Sequence, residues 1–243
     1  MGLLLTGCAS HYEVSGVSRS RILIDKRYDA NMDAKGVAFL APYKKTVDSI
    51  MSPVVGHVAD YLYAEKPESN LSNLLCDILV WAGRDYGEKP EFSLYNMGGM
   101  RAALSPGEVT YGNVLDVAPF ENKICFFDLK GSDVQELFEQ VAKIYGEGVS
   151  KGVELVITKK GELKSAKLHG EPIDPNRTYR VASIDYLAEG NGGLTALTKK
   201  TNVNSPQDES NNSRFVIMNY FREMDAQGIV VTAKVEGRIR VEE

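Results

Sequence analysis

Glu91-Phe92-Ser93-Leu94-Tyr95-Asn96-Met97-Gly98-Gly99-Met100-Arg101 is the stretch on which the fold reading turns. Its first half is rich in strand-forming aromatic and apolar residues, and its second half is a glycine-bearing loop, so it predicts a strand that runs into a loop. Upstream, Leu71, Leu74, Leu75, Ile78, Leu79 and Ala82 recur at i, i+3 and i+4 behind two candidate caps, Ser69 and Asn70. That spacing predicts a helix ending between Gly83 and Gly87. Downstream, residues 123–129 read as a strand that turns at Lys130-Gly131-Ser132 into a helix carrying Val134, Leu137, Phe138, Val141 and Ile144. Residues 153–158 and 163–168 flank Lys159-Lys160-Gly161-Glu162, a hairpin signal. Residues 178–184 read as a further strand, ending towards Gly190-Asn191-Gly192-Gly193. The polar run 201–212 reads as a surface loop, 215–224 as a helix and 230–241 as a closing strand or hairpin. Strands and helices mix without strict βαβ alternation, which predicts an α+β domain with a mixed sheet.

Towards the N-terminus the pattern weakens. Residues 9–33 are polar and mixed and read as a tether, with Arg21-Ile22-Leu23-Ile24 as a possible strand. Pro42 opens a helical stretch with Tyr43, Val47, Ile50 and Met51 near helical spacing, and Pro53 marks a kink or break. Val54, Val55, Val58, Tyr61 and Leu62 are expected to continue that apolar face.

The 243 residues are 43% hydrophobic and 25% charged, an ordinary globular composition. A net charge of -5 argues against a sequence-independent nucleic-acid binder, which needs a basic face to displace phosphate counterions. Small molecules or proteins are the expected partners. Of the three cysteines, Cys76 and Cys125 lie in apolar runs and read as buried free thiols. Cys8 closes Leu5-Thr6-Gly7-Cys8, which resembles a bacterial lipobox whose cysteine is lipidated. Against this, the leader lacks a Lys or Arg, and Met1-Gly2-Leu3-Leu4-Leu5 is short for an apolar region of about 7–15 residues. The expectation is a lipoprotein of the cell envelope, on the periplasmic or outer-membrane face, held by its lipid. The expected organisation is a signal remnant at residues 1–8, a tether and lead-in at 9–39, and one domain at 40–243.

A two-metal hydrolytic centre needs clustered His, Asp and Asn ligands. His11, His57 and His169 stand in no Asp-x-His, Gly-Asn-His or His-Glu-x-x-His setting, and neither a nucleophile elbow nor a phosphate-binding loop is present. No metal and no cofactor is therefore expected in this chain, and no catalytic residue is assigned. Three segments instead place polar groups where strands end. Asn96-Met97-Gly98-Gly99-Met100-Arg101 offers an approachable backbone, an amide and a guanidinium that grips anions in a fork. Pro119-Phe120-Glu121-Asn122 offers an aromatic face beside an amide, and Tyr186 to Gly193 a second aromatic with a glycine-rich loop. Two aromatics can sandwich a base, at about 1–3 kcal/mol per base. Taken singly, each segment is better explained as a turn, a core phenylalanine or a loop closing a strand.

Their order changes that judgement. The three runs resemble, in sequence, the Asn-Gly-Gly-Gly-Ile-Arg, Pro-Phe-x-Asn and Phe-x-Ala-x-Gly-Gly-Asp-Gly runs of the C-terminal domain of 5'-nucleotidases. Ala41-Pro42-Tyr43-Lys44, Val54-Val55-Gly56, Gly112-Asn113-Val114-Leu115 and Glu171-Pro172-Ile173-Asp174-Pro175 support the likeness, which covers residues 40–241. No segment resembles the family's N-terminal metallophosphoesterase domain, so a recognition module working with a separately encoded metallophosphoesterase is expected. A non-catalytic, lipid-anchored nucleoside or small-molecule binder is the alternative.

The resemblance implies that Asn96 and Arg101 lie near the substrate's sugar or phosphate, with Gly98 and Gly99 shaping the loop. It implies Phe120 and Tyr186 as the two faces of a base clamp and Asn122 as a base-edge partner. Three departures stand out: Glu65 replaces an anion-binding arginine, Met97 replaces the first glycine of the triple, and the ribose-holding aspartate falls on Gly192. Asn191 beside it is a weaker substitute, since an amide accepts no charge-assisted hydrogen bond of the carboxylate kind.

Overall fold

The computed structural model describes residues 12–242, so Cys8 and His11 lie outside the described residues. Two compact units are distinguished, Met1–Lys45 and Thr46–Glu243. In the first, Asp25 caps a short 3-10 turn, Lys26–Asn31, by accepting the N–H of Arg27. Residues 21–24 are exposed and belong to no sheet, for a strand exists only with a ladder partner. Helix α1 (Ala34–Met51) begins in this unit, eight residues before Pro42, which sits inside it. The start is set by Asp33, whose carboxylate accepts the N–H of Lys35 at 3.0 Å.

The second unit carries the remaining elements in the order β1 (Val54–Val58), α2 (Asn70–Ala82), β2 (Phe92–Tyr95), β3 (Gly107–Thr110), α3 (Tyr111–Val117), β4 (Ile124–Lys130) and α4 (Gly131–Lys143). Then come β5 (Gly148–Val149), β6 (Val153–Thr158), β7 (Leu163–Leu168), β8 (Glu171–Pro172), β9 (Thr178–Ile184), α5 (Asp185–Ala188), β10 (Thr201–Asn204), α6 (Ser213–Ala226) and β11 (Ile239–Glu242). Five strands make one mixed sheet in the order β10-β4-β9-β2-β5, and four make another, β11-β6-β7-β8. Strand β1 pairs with β3 in a two-stranded ladder, and its last residue, Val58, also bridges Val231. The α+β architecture with mixed sheets is as expected.

Local chemistry explains most elements. Ser69 caps α2 in a reciprocal capping box with Ser72, and the stripe from Leu71 to Ala82 is buried. Thr110 and Asn113 repeat the device at α3. Helix α4 must open on Gly131, because a Cβ there would collide with the carbonyl oxygen of Asp174. Strand β9 lies inside the five-stranded sheet with Val181, Ala182 and Ile184 buried, as its apolar run implies.

Three further expectations are corrected. Val54, Val55 and Val58 do not continue the helical face; after Pro53 the β-branched run pairs with β3 as β1. The polar run after Thr201 is not all loop, since β10 adds to the exposed edge of β4 through Thr201 opposite Asp128 and Asn204 opposite Phe126. An edge strand that buries little shows no apolar alternation for a periodicity reading to find. Of residues 230–241, the strand proper starts at Ile239 and runs parallel to β6.

Candidate functional site

Strand order brings the three loop segments to one end of the five-stranded sheet. Strands β2 and β9 are parallel, so their C-terminal ends lie together. Strand β4 is antiparallel to β9, with Ile124 opposite Ile184, so the chain entering β4 arrives at that same end. Asn96 follows β2, Pro119–Asn122 precedes β4, and Tyr186 follows β9.

Each loop is held by its own chemistry. The Asn96 side chain accepts the N–H of Gly98 at 3.1 Å and so caps a 3-10 turn, Met97–Gly99. The N–H of Met97 points to the carboxylate of Glu147, which also accepts the N–H of Gly148 at 3.1 Å. Glu147 is 3% exposed, and burial pushes its carboxyl above the usual range, opposed by those two N–H donors and by Lys66. Tyr95, also buried, meets the Ser213 hydroxyl at 3.2 Å, and burial pushes its own hydroxyl up to about 12. In the third segment Asn191 donates its side-chain N–H to the carbonyl of Tyr186 at 2.9 Å. Gly190, Gly192 and Gly193 all have positive φ, which a side chain rarely tolerates.

Asn96, Gly98, Gly99, Phe120, Asn122 and Tyr186 line one pocket of about 300 Å³. Phe120 is 48% exposed and Tyr186 38%, so neither ring is a core residue. Arg101 does not line this pocket. Its guanidinium donates to the carbonyl of Gly98 at 3.3 Å and faces a cleft shared with Tyr63, Ala64, Met100, Ala102 and Ala103. Asn191 is likewise absent from the lining, its amide being engaged with Tyr186. A larger cleft, about 740 Å³, lies elsewhere, bordered by Lys151, His169 and Arg238 among others. Arg238 there is committed to Asp77 and Glu236, and the cleft holds none of the predicted site residues.

The smaller pocket offers two aromatic faces, two amides and glycine backbone, without a carboxylate, imidazole or thiol. That set can stack a planar ring and read its edge; it contains no group to move a proton near neutral pH. Among the described residues no group of three or more His, Cys, Asp or Glu is placed to hold a metal ion. His57 instead pairs with Asp225 at 2.8 Å, and His169 meets the carbonyl of Glu91 at 3.1 Å. No helix among the described residues is long and apolar enough to cross a membrane.

The sequence model of the family described as "5'-nucleotidase, C-terminal domain" matches residues 54–199, the span that builds all three walls of the pocket. The chain belongs to this family. UshA of Yersinia enterocolitica is 29% identical to this 5'-nucleotidase C-terminal domain over 165 residues, which cover 66% of the chain and 30% of UshA. UshA of Salmonella pullorum is 33% identical over 164 residues, again 66% of this chain and 30% of that one. Endonuclease YhcR of Bacillus subtilis is 29% identical over 186 residues, 72% of this chain and 15% of its own. The solved 5'-nucleotidase precursor of Thermus thermophilus superposes with a TM-score of 0.72 at 28% identity, covering 83% of this domain and 42% of that chain. The domain thus spans less than a third of the length of these UshA relatives.

Three contributors escaped the sequence reading. Glu147 sits in Tyr145-Gly146-Glu147-Gly148, and a carboxylate set among glycines was its available signal. Ser213 and Arg214 reach the site from α6, and nothing in their neighbourhood marks them.

Proposed function

We propose that this 5'-nucleotidase C-terminal domain recognises nucleosides and nucleotides through their bases and works with a separately encoded metallophosphoesterase in nucleotide catabolism. The observation that carries the reading is the pocket itself: Phe120 and Tyr186, distant in sequence, are both half-exposed on its walls with the Asn96 and Asn122 amides between the same boundaries. Relatives named as a 5'-nucleotidase and as a nucleotide phosphoesterase support a nucleotide ligand. In this proposal the chain supplies base recognition and no metal, and the hydrolytic metals belong to the partner. Lipidation at Cys8 would hold the pair at the periplasmic or outer-membrane face of the envelope.

A second reading, a lipid-anchored nucleoside binder without a catalytic partner, draws support from the uncharged lining and from Glu65 standing where an anion-binding arginine is expected. Calorimetric titration of the purified chain with adenosine, uridine and AMP to millimolar concentration tests both. Phe120→Ala is expected to weaken adenosine binding by about 1–3 kcal/mol, roughly ten- to hundredfold. Absence of binding by all three ligands, or unchanged binding in Phe120→Ala, would remove the recognition reading.

A further inference from the structure

Phe120 stands nearly half in solvent, so packing alone does not hold its ring. The loop that carries it is pinned at both ends by the first turn of α6. Arg214 donates from Nη2 to the carbonyl of Pro119 at 3.1 Å, and the N–H of Ser213 donates to the carbonyl of Asn122 at 2.8 Å. Just two residues, Phe120 and Glu121, lie between these anchors. The same helix start touches the other walls: Ser213 Oγ meets the Tyr95 hydroxyl next to Asn96, and Asn212 forms a bridge with Lys123. The carbonyl of Lys123 in turn accepts the N–H of Asp185, the neighbour of Tyr186.

Arg214 is poorly placed to be a stabiliser. Its side chain is 11% exposed, yet its carboxylate neighbour, Glu121, is 4.0 Å away and 83% exposed, an ion pair that solvent screens almost fully. Its Nε is buried with no hydrogen-bond acceptor among the described residues, which costs stability. The interaction it does make well is the one that fixes Pro119.

We infer that Arg214 is a positioning residue for the clamp, holding the 119–122 loop from the side of α6 so that Phe120 is presented for stacking before ligand arrives. The inference rests on the recognition reading above and adds that the stacking face is preorganised by a residue that does not line the pocket. Preorganisation matters because a loop that must be ordered on binding gives up part of the affinity its contacts would otherwise supply.

The test uses the full chain as wild type, Arg214→Met, which keeps the volume but loses the donor, and Arg214→Lys, whose ammonium can still reach a carbonyl. Backbone N–H order parameters of Phe120 and Glu121 are measured without ligand, together with thermal midpoints and adenosine titrations. Wild type should give about 0.85 at both positions and Arg214→Met below about 0.6. Adenosine affinity should fall about threefold to tenfold in Arg214→Met and partly recover in Arg214→Lys. The thermal midpoint of Arg214→Met should stay within about 4 °C of wild type. Unchanged order parameters overturn the inference whatever the ligand does, as does a loosening spread evenly over the domain with a falling midpoint. A loosened loop with unchanged adenosine affinity overturns it too. If the loop loosens and not even wild type binds a nucleoside, the anchor holds and the recognition reading falls instead.

Discussion

Glu147, buried in the chain's second unit, accepts the backbone N–H of Met97 fifty residues earlier and thereby fixes the turn that carries Gly98 and Gly99. Burial raises its carboxyl pKa, so the folded state holds the proton more tightly than the unfolded chain does. The stability this proton confers is fully present below the unfolded pKa and is lost as pH rises through the folded one.

The effect of replacing the carboxylate by its neutral isostere should therefore depend on pH. Glu147→Gln can still accept both N–H groups but carries no buried charge. Its stability relative to wild type should rise as pH goes from about 4 to 7, by about 1.4 kcal/mol for each unit separating the two midpoints. Groups common to both proteins cancel in that difference. Urea denaturation across this range checks it, and a difference that stays flat with pH would contradict the buried-charge account. Glu147→Ala, which leaves two N–H groups unpaired, should be less stable than Glu147→Gln by about 1–3 kcal/mol at every pH, since neither variant carries the titrating group.

Arg101 is exposed and bonded to the Gly98 carbonyl, outside the pocket lined by Phe120 and Tyr186. Arg101→Ala should alter adenosine affinity by no more than about 0.5 kcal/mol, the ordinary range for an exposed site. Any larger loss should be confined to phosphorylated ligands, which a guanidinium meets through charge. Paired titrations with adenosine and AMP decide this; an equal tenfold loss for both would place Arg101 at the ring.

Arg238 is 5% exposed and joins the closing strand to α2, making two bonds to Asp77 at 2.8 and 2.7 Å and one to the Val149 carbonyl at 2.9 Å. The Asp77 and Glu236 carboxylates are 39% and 43% exposed, so solvent takes over part of their charge. Removing Arg238 should cost about 1–3 kcal/mol, mainly from the buried carbonyls of Val149 and Asn73, which lose its N–H donors. Arg238→Ala should lower the urea midpoint accordingly while leaving the adenosine affinity of the folded protein intact. Loss of less than about 0.5 kcal/mol, the ordinary surface range, would mean that the network contributes little.

Lipidation at Cys8 has its own readout. Full-length protein made in a bacterial host should incorporate palmitate, and the Cys8→Ser form should not. Equal labelling of the two would end the lipoprotein proposal.

Local sequence alone determined the elements whose formation depends on neighbours in the chain. The stripe from Leu71 to Ala82 behind Ser69, the hairpin around Gly161 and the buried run of β9 were legible because periodicity and turn chemistry act over a few residues. The order of the Asn96, Phe120 and Tyr186 segments was legible as a resemblance for the same reason. Tertiary structure decided what faces what. Whether strands run parallel or antiparallel is invisible to a local pattern, yet it is the parallel pairing of β2 with β9 and the antiparallel pairing of β4 with β9 that bring the three segments together. The direction of a side chain is set in the same way. Arg101 and Asn191 lie within five residues of pocket residues in sequence and face elsewhere, whereas Glu147 and Arg214 lie far along the chain and hold the pocket's loops, because hydrogen bonds join groups that folding, not sequence distance, makes neighbours.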